Sequence, residues 1–108
     1  NGELKEKVPV DLVETFNYLL GIHVEKIRSY ENDGRRYRVV LGHIEDERVV
    51  VVWRDAEDFD EPSLKIDKDF IEKTALEGIE FHKLYVNGKC FVKKSSPIEP
   101  KFKVLMEA

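Results

Sequence analysis

Between Val10 and Leu20 the apolar residues Leu12, Val13, Phe16, Leu19 and Leu20 recur at helical spacing and define a single stripe. Asp11, followed three positions later by Glu14, has the form of a capping box, and Gly21 stands where a C′ glycine ends a helix. The pattern predicts a short amphipathic helix laid on a sheet, with an outward edge at Tyr18 or Phe16.

Beyond Gly21 the period changes. Ile22, Val24 and Ile27 suggest a strand that turns Glu25, Lys26 and Arg28 toward water, and Asn32-Asp33-Gly34 is a turn signal because these residues tolerate positive φ. Arg36 to Leu41 alternates as a half-buried strand does. After Glu45-Asp46-Glu47, the run Val49-Val50-Val51-Val52-Trp53 loses alternation altogether, the mark of a central strand covered on both faces. The three strands together make an antiparallel meander.

Residues 55–66, with Asp55, Glu57, Asp58, Asp60, Glu61 and Pro62, read as an acidic loop. Asp67 then caps a helix running to about Gly78, with Phe70, Ile71, Ala75 and Ile79 on its buried face. Phe81 to Val86 forms a further strand, so strand, helix and strand make a right-handed parallel crossover. Asn87-Gly88 is a hairpin signal leading into Lys89-Cys90-Phe91-Val92. Pro97 and Pro100 bracket a turn before a short apolar segment of Phe102, Val104, Leu105 and Met106. The expected fold is α/β (α+β mixed): a small mixed sheet of about five strands, with an antiparallel meander, one strand-helix-strand unit and two main helices. Residues 1–9 form a flexible lead-in, and 10–108 a single domain.

Composition narrows the class. A chain of 108 residues with 42% hydrophobic and 37% charged side chains is that of one soluble globular domain. No run approaches the roughly 18–20 apolar residues of a membrane helix, and the N-terminus has no signal-peptide pattern. Cys90 is the single cysteine, which excludes an internal disulfide and a multi-thiolate metal site and points to a reducing, cytoplasmic setting. Glutamine is absent while Lys and Glu abound, a profile pointing to a thermophilic source. Net charge is −4, unevenly spread: residues 55–80 hold ten acidic and three basic side chains, residues 87–108 five basic and two acidic. That balance argues against strong independent DNA binding, which needs phosphate neutralisation.

Candidate chemistry is sparse. His23, His43 and His82 share no i, i+3 or i, i+4 spacing and read as strand histidines, not zinc ligands. The acidic loop lacks the central glycine and terminal Glu of a calcium loop. A nuclease reading would use Asp33 with Glu3-Leu4-Lys5, but the triplet lies in the lead-in rather than on a strand. Cys90 has only His82 as a nearby base, and no glycine-rich loop joins a strand to a helix as a phosphate cradle. Two groups are candidates for DNA or partner contact. Arg35, Arg36 and Arg38 with Tyr37 form a basic-aromatic patch at a strand start, which also serves to guard an edge. Trp53 and Arg54 close the central strand, where open α/β sheets bind ligands, although packing by Trp53 and pairing of Arg54 with an acid are the simpler roles.

The segments VDLVETFNYLLGIHV, DGRRYRVV, RVVVVWRD, YVNG and IEPKFKVLM occur in this order from Val10 to Met106. Together they resemble the C-terminal region of site-specific, adenine-specific DNA methyltransferases, in particular the modification subunits of type III restriction-modification systems. Members of that family transfer a methyl group from S-adenosylmethionine to adenine N6 through an Asp-Pro-Pro-Tyr-type motif and a glycine-containing cofactor motif. This chain carries neither, so no catalytic, cofactor-binding or metal residue is transferred to it. The resemblance implies a non-catalytic accessory domain, excised from a larger enzyme that binds S-adenosylmethionine. Its implied partners are the methyltransferase core of the same chain, DNA through the parent protein, and a restriction subunit or a second copy. A stand-alone interaction or weak nucleic-acid-binding module and a small metal-dependent nuclease are the alternatives.

Overall fold

The computed structural model describes residues 8–108 and has the element order α1 (Val10–Leu20), β1 (His23–Asn32), β2 (Arg35–Ile44), β3 (Glu47–Arg54), α2 (Glu61–Phe70), β4 (Lys83–Val86), β5 (Ser95–Pro97) and α3 (Ile98–Glu107). A π-helical segment, Ile71–Ala75, continues α2. The expected lead-in and the Glu3-Leu4-Lys5 triplet lie almost entirely or wholly outside the described residues; of 1–9 only Val8 and Pro9 are described.

One mixed sheet of five strands runs in the order β1-β2-β3-β4-β5, as the α+β reading required. β1, β2 and β3 are the antiparallel meander, while β4 lies parallel to β3 and β5 parallel to β4. Asp33 and Gly34 both take positive φ, 53° and 71°, as a tight primed hairpin turn demands.

The valine run of β3 is buried on both sides, which explains its missing alternation. Val50 and Val52 join Tyr37, Val39, Leu84 and Val86 beneath Ile71 and Ala75 of the α2 layer. Val49, Val51 and Trp53 join Val40 and Tyr85 beneath Val13 and Phe16 of α1 and Ile98 of α3. Helices therefore cover the sheet from both faces.

Several boundaries differ from expectation. The N-cap of α1 is Pro9, not Asp11; Asp11 lies within the first turn, where its charge suits the helix dipole without a capping bond. Phe16 is fully buried, so of the two expected edge residues it is Tyr18, 84% exposed, that faces outward. Gly21 ends the helix as expected, at φ 79°, with its own N–H and that of Ile22 returned to Tyr18 and Asn17 carbonyls. α2 begins inside the segment read as a loop. Asp60 is the N-cap and shares a reciprocal capping box with Ser63, and Pro62 sits in the first turn, where it has no hydrogen bond to lose. Asp67 is thus a buried mid-helix residue and not a cap.

Asn87-Gly88 makes no hairpin. The Asn87 side chain lies against the end of β3, accepting from Arg54 N at 2.8 Å and donating to Arg54 O at 2.9 Å, so it continues the ladder in place of a strand backbone. Gly88 N–H points to the Glu99 carboxylate, and the chain returns as the parallel strand β5 after residues 87–94. The final apolar segment is a third helix, α3, with Pro97 as N-cap and Pro100 within its first turn.

Candidate functional site

β2 carries the arginine patch, and a strand turns successive side chains to opposite faces. Arg35 and Tyr37 therefore go to the α2 side, whereas Arg36 and Arg38 go to the α1/α3 side. No single surface holds all four.

The Arg35 guanidinium organises the loop after β3. It donates to the carbonyls of Asp55 (2.8 Å), Glu57 (2.5 Å) and Asp58 (3.3 Å), and it lies 3.7 Å from the centre of the Phe59 ring. Arg54, fully buried, stacks on the same ring at 4.6 Å. Its Nη1 pairs with Asp67 Oδ2 at 2.6 Å, and its Nη2 donates to the carbonyls of Asn87 and Lys89. Tyr37 Oη donates to the other Asp67 oxygen at 2.6 Å. Burial pushes the Asp67 carboxyl above the usual aspartate range, opposed by the Tyr37 hydrogen bond and then by Arg54. Burial also raises the Tyr37 phenol, with the adjoining Asp67 acting in the same sense. The triad ties β2, β3, α2 and the β4–β5 connection into one unit; of the Arg54 donors only Nε lacks a partner among the described residues.

Trp53 is 3% exposed and packs edge-on against Phe16, with ring centres 5.8 Å apart; among the described residues its indole N–H has no hydrogen-bond partner. Beside it opens a cleft of about 270 Å³, lined by Ser29, Glu31, Arg36, Arg38, Trp53 and Asp55 together with Val8 and the two tyrosines Tyr30 and Tyr37. Asp55 accepts from Arg36 N at 3.2 Å and Asp55 N donates to Arg36 O at 3.3 Å, which extends the β2–β3 pairing and fixes one wall.

The other candidates stand apart. His23 and His43 stack across β1 and β2 with ring centres 5.1 Å apart, and His43 Nδ1 lies 2.6 Å from Glu25. His82 Nδ1 accepts from Arg48 N at 2.9 Å. Among the described residues no group of three or more His, Cys, Asp or Glu is placed to hold a metal ion. Burial raises the Cys90 thiol above its ordinary value, which disfavours the nucleophilic thiolate. Among the described residues no helix is long and apolar enough to cross a membrane.

Asp67, Asn87 and Phe59 were missed as partners of the candidate arginines. Asp67 did carry a signal: it falls in the same helical stripe as Leu64 and Ile71, a charged residue at a core position. Asn87 and Phe59 carried none, since their roles depend on a loop path. No family model, no curated protein and no solved structure matches the chain.

Proposed function

We propose that this chain is a non-catalytic accessory domain of an S-adenosylmethionine-dependent adenine-N6 DNA methyltransferase of a type III-like restriction-modification system. What supports the reading is the ordered resemblance along 10–106, and one structural observation carries it further. The helix layer of α1 and α3 turns apolar side chains outward as well as inward: Leu12 is 40% exposed, Tyr18 84%, Val104 61% and Met106 66%. Such residues suit packing on a larger body. In this role the domain docks on the methyltransferase core through α1 and α3 and serves assembly or target recognition, while the core supplies S-adenosylmethionine, the catalytic motif and DNA contact. A restriction subunit or a second copy is the further partner.

Sequencing the reading frame upstream of Asn1 tests this. An Asp-Pro-Pro-Tyr motif and a glycine-containing cofactor loop are the expected finding; a start codon immediately before Asn1 overturns the proposal. In the parent enzyme, Tyr18→Glu with Met106→Glu would then weaken association with the core while leaving the isolated domain folded.

A second reading, a weak nucleic-acid-binding module, is favoured by the exposed Lys89, Lys93 and Lys94 in the connection between β4 and β5. A gel shift across a salt series decides it: affinity falling steeply with salt supports several phosphate contacts. Absence of binding at low salt, or binding unchanged by Arg36→Ala with Arg38→Ala and by replacement of the three lysines, removes it.

A further inference from the structure

We propose that the open edge of β1 pairs with β1 of a second copy of this chain, antiparallel and centred on Ser29, so that two sheets become one. β1 and β5 are the outer strands of the sheet, and they differ. β5 is three residues long, includes Pro97, which has no N–H to offer, and passes straight into α3. β1 runs ten residues without proline or glycine, and among the described residues it pairs with β2 alone. Proteins ordinarily keep a free edge short or blunted. The blunting devices here, a bulge between Val24 and Lys26 and the charge of Lys26 itself, sit in the first half of the strand and leave 27–32 in regular register.

The hairpin sets which backbone groups this edge offers. Asp33 and Gly34 form a two-residue loop, so the flanking Asn32 and Arg35 exchange hydrogen bonds and the pairing alternates back from there. Arg36 fits that phase, because its N and O are turned to Asp55 on the β3 side and away from Glu31. Glu31, Ser29 and Ile27 therefore direct N–H and C=O away from the sheet. A copy related by a two-fold axis lies antiparallel and sets outward residues against outward residues, which leaves few registers. Centring on Ile27 puts Lys26 opposite Arg28, and centring on Arg28 puts that arginine opposite itself; like charges directly across a ladder are unfavourable. Centring on Tyr30 leaves Ile27 unpaired. With Ser29 on the axis, Ile27 meets Glu31, Arg28 meets the ring of Tyr30, and Lys26 meets Asn32. All three outward residues then exchange both their bonds with the copy, no like charges face each other, and the two arginines lie against aromatic rings.

A single strand edge is a small contact, so a Kd of about 10–100 µM is expected. Sedimentation equilibrium of the full chain from about 5 to about 500 µM should show a reversible monomer–dimer transition in that range. Ser29→Asp sets two carboxylates opposite each other at the axis and should raise the Kd at least about tenfold, with far-ultraviolet circular dichroism unchanged. Tyr18→Glu, on the outer side of α1, should leave the dimer intact. The register is read separately. Ser29→Cys should form a disulfide-linked dimer on mild oxidation, its two Cα atoms standing about 5.5 Å apart. Ile27→Cys should not, because its copy lies four positions along the strand, about 14 Å away. Wild type, which holds Cys90, controls for that thiol. A chain that stays monomeric at every concentration overturns the proposal and leaves the edge to a different chain. A dimer lost in Tyr18→Glu but kept in Ser29→Asp overturns it too, placing the contact on α1. Cross-linking of Ile27→Cys in preference to Ser29→Cys refutes the register. None of these outcomes depends on whether the chain belongs to a methyltransferase.

Discussion

On the α2 side of the sheet, Arg54, Asp67 and Tyr37 bury an ion pair and a phenol among Val52, Ile71 and Val86; on the α1/α3 side, Phe16 sits edge-on to both Trp53 and Tyr85, with Val51 and Ile98 around it. The first arrangement is directional. Apart from the Arg54 Nε, which has no hydrogen-bond partner among the described residues, each polar group there is tolerated because another answers it, and removal of one strands the rest. The second rests on area and shape, so loss of atoms is felt in proportion to what is removed. One sheet thus carries two kinds of core, and β3 belongs to both.

Because Val51 is fully buried in an apolar and aromatic cluster, Val51→Asp has the largest expected effect. An unpaired carboxylate in that packed layer costs several kcal/mol, comparable with the whole stability of a small domain. The variant should be unfolded by circular dichroism and near-ultraviolet absorption of the aromatic residues; an unchanged melting temperature would refute the placement of β3 at the centre.

On the ionic side, Asp67→Ala should destabilise by about 3–5 kcal/mol, since Arg54 is left buried without its carboxylate. The sharper test is the double replacement Arg54→Met with Asp67→Leu, which removes both charges and should recover most of that loss in a denaturant titration. If the double variant is no more stable than Asp67→Ala, then the carbonyls of Asn87 and Lys89 that Arg54 serves matter more than the ion pair does.

The two cores were unequally visible beforehand. The unbroken valine run announced a strand covered twice, and the meander followed from turn residues and alternation, because those signals are local. The start of α2 was hidden because Pro62 and the acids around it have the composition of a loop, although Pro in a first turn and an Asp60–Ser63 box are helix-starting chemistry. The hairpin at Asn87-Gly88 failed for another reason: both residues are consumed by distant partners, the end of β3 and Glu99, which no local pattern records. The arginine patch was legible and under-read, since residues adjacent on a strand cannot share a face. The cleft was not legible at all, being assembled from β1, β2, the end of β3 with the residue after it, and Val8.

Tyr37→Phe gives a smaller effect and divides the triad further. It removes one hydrogen bond to a buried carboxylate while keeping the ring against Phe70, so a loss of about 1.5–3 kcal/mol is expected in chemical denaturation. A loss below about 0.5 kcal/mol would mean that Arg54 alone satisfies Asp67.

The gentlest comparison sets two aspartates of one helix against each other. Asp60, exposed at the N-cap, is held below the usual aspartate range first by the Ser63 side-chain hydrogen bond. Its folded form binds a proton less readily than the unfolded chain, so its stabilising contribution is present above the ordinary value near 3.9 and is lost as pH falls through its lowered folded value. Asp67 is shifted the other way by burial. Between about 3.9 and its raised value the folded state binds the proton more tightly, so the contribution of Asp67 is most favourable below that window and declines as pH rises through it. Measured as the stability difference between wild type and each asparagine variant, Asp60→Asn should show a difference that shrinks on acidification below about 3.9, and Asp67→Asn one that shifts in favour of wild type as pH drops toward 3.9 from above. Equal slopes for the two variants would mean that the buried carboxylate is solvated as its exposed neighbour is, and that the α2 core is wetter than its packing implies.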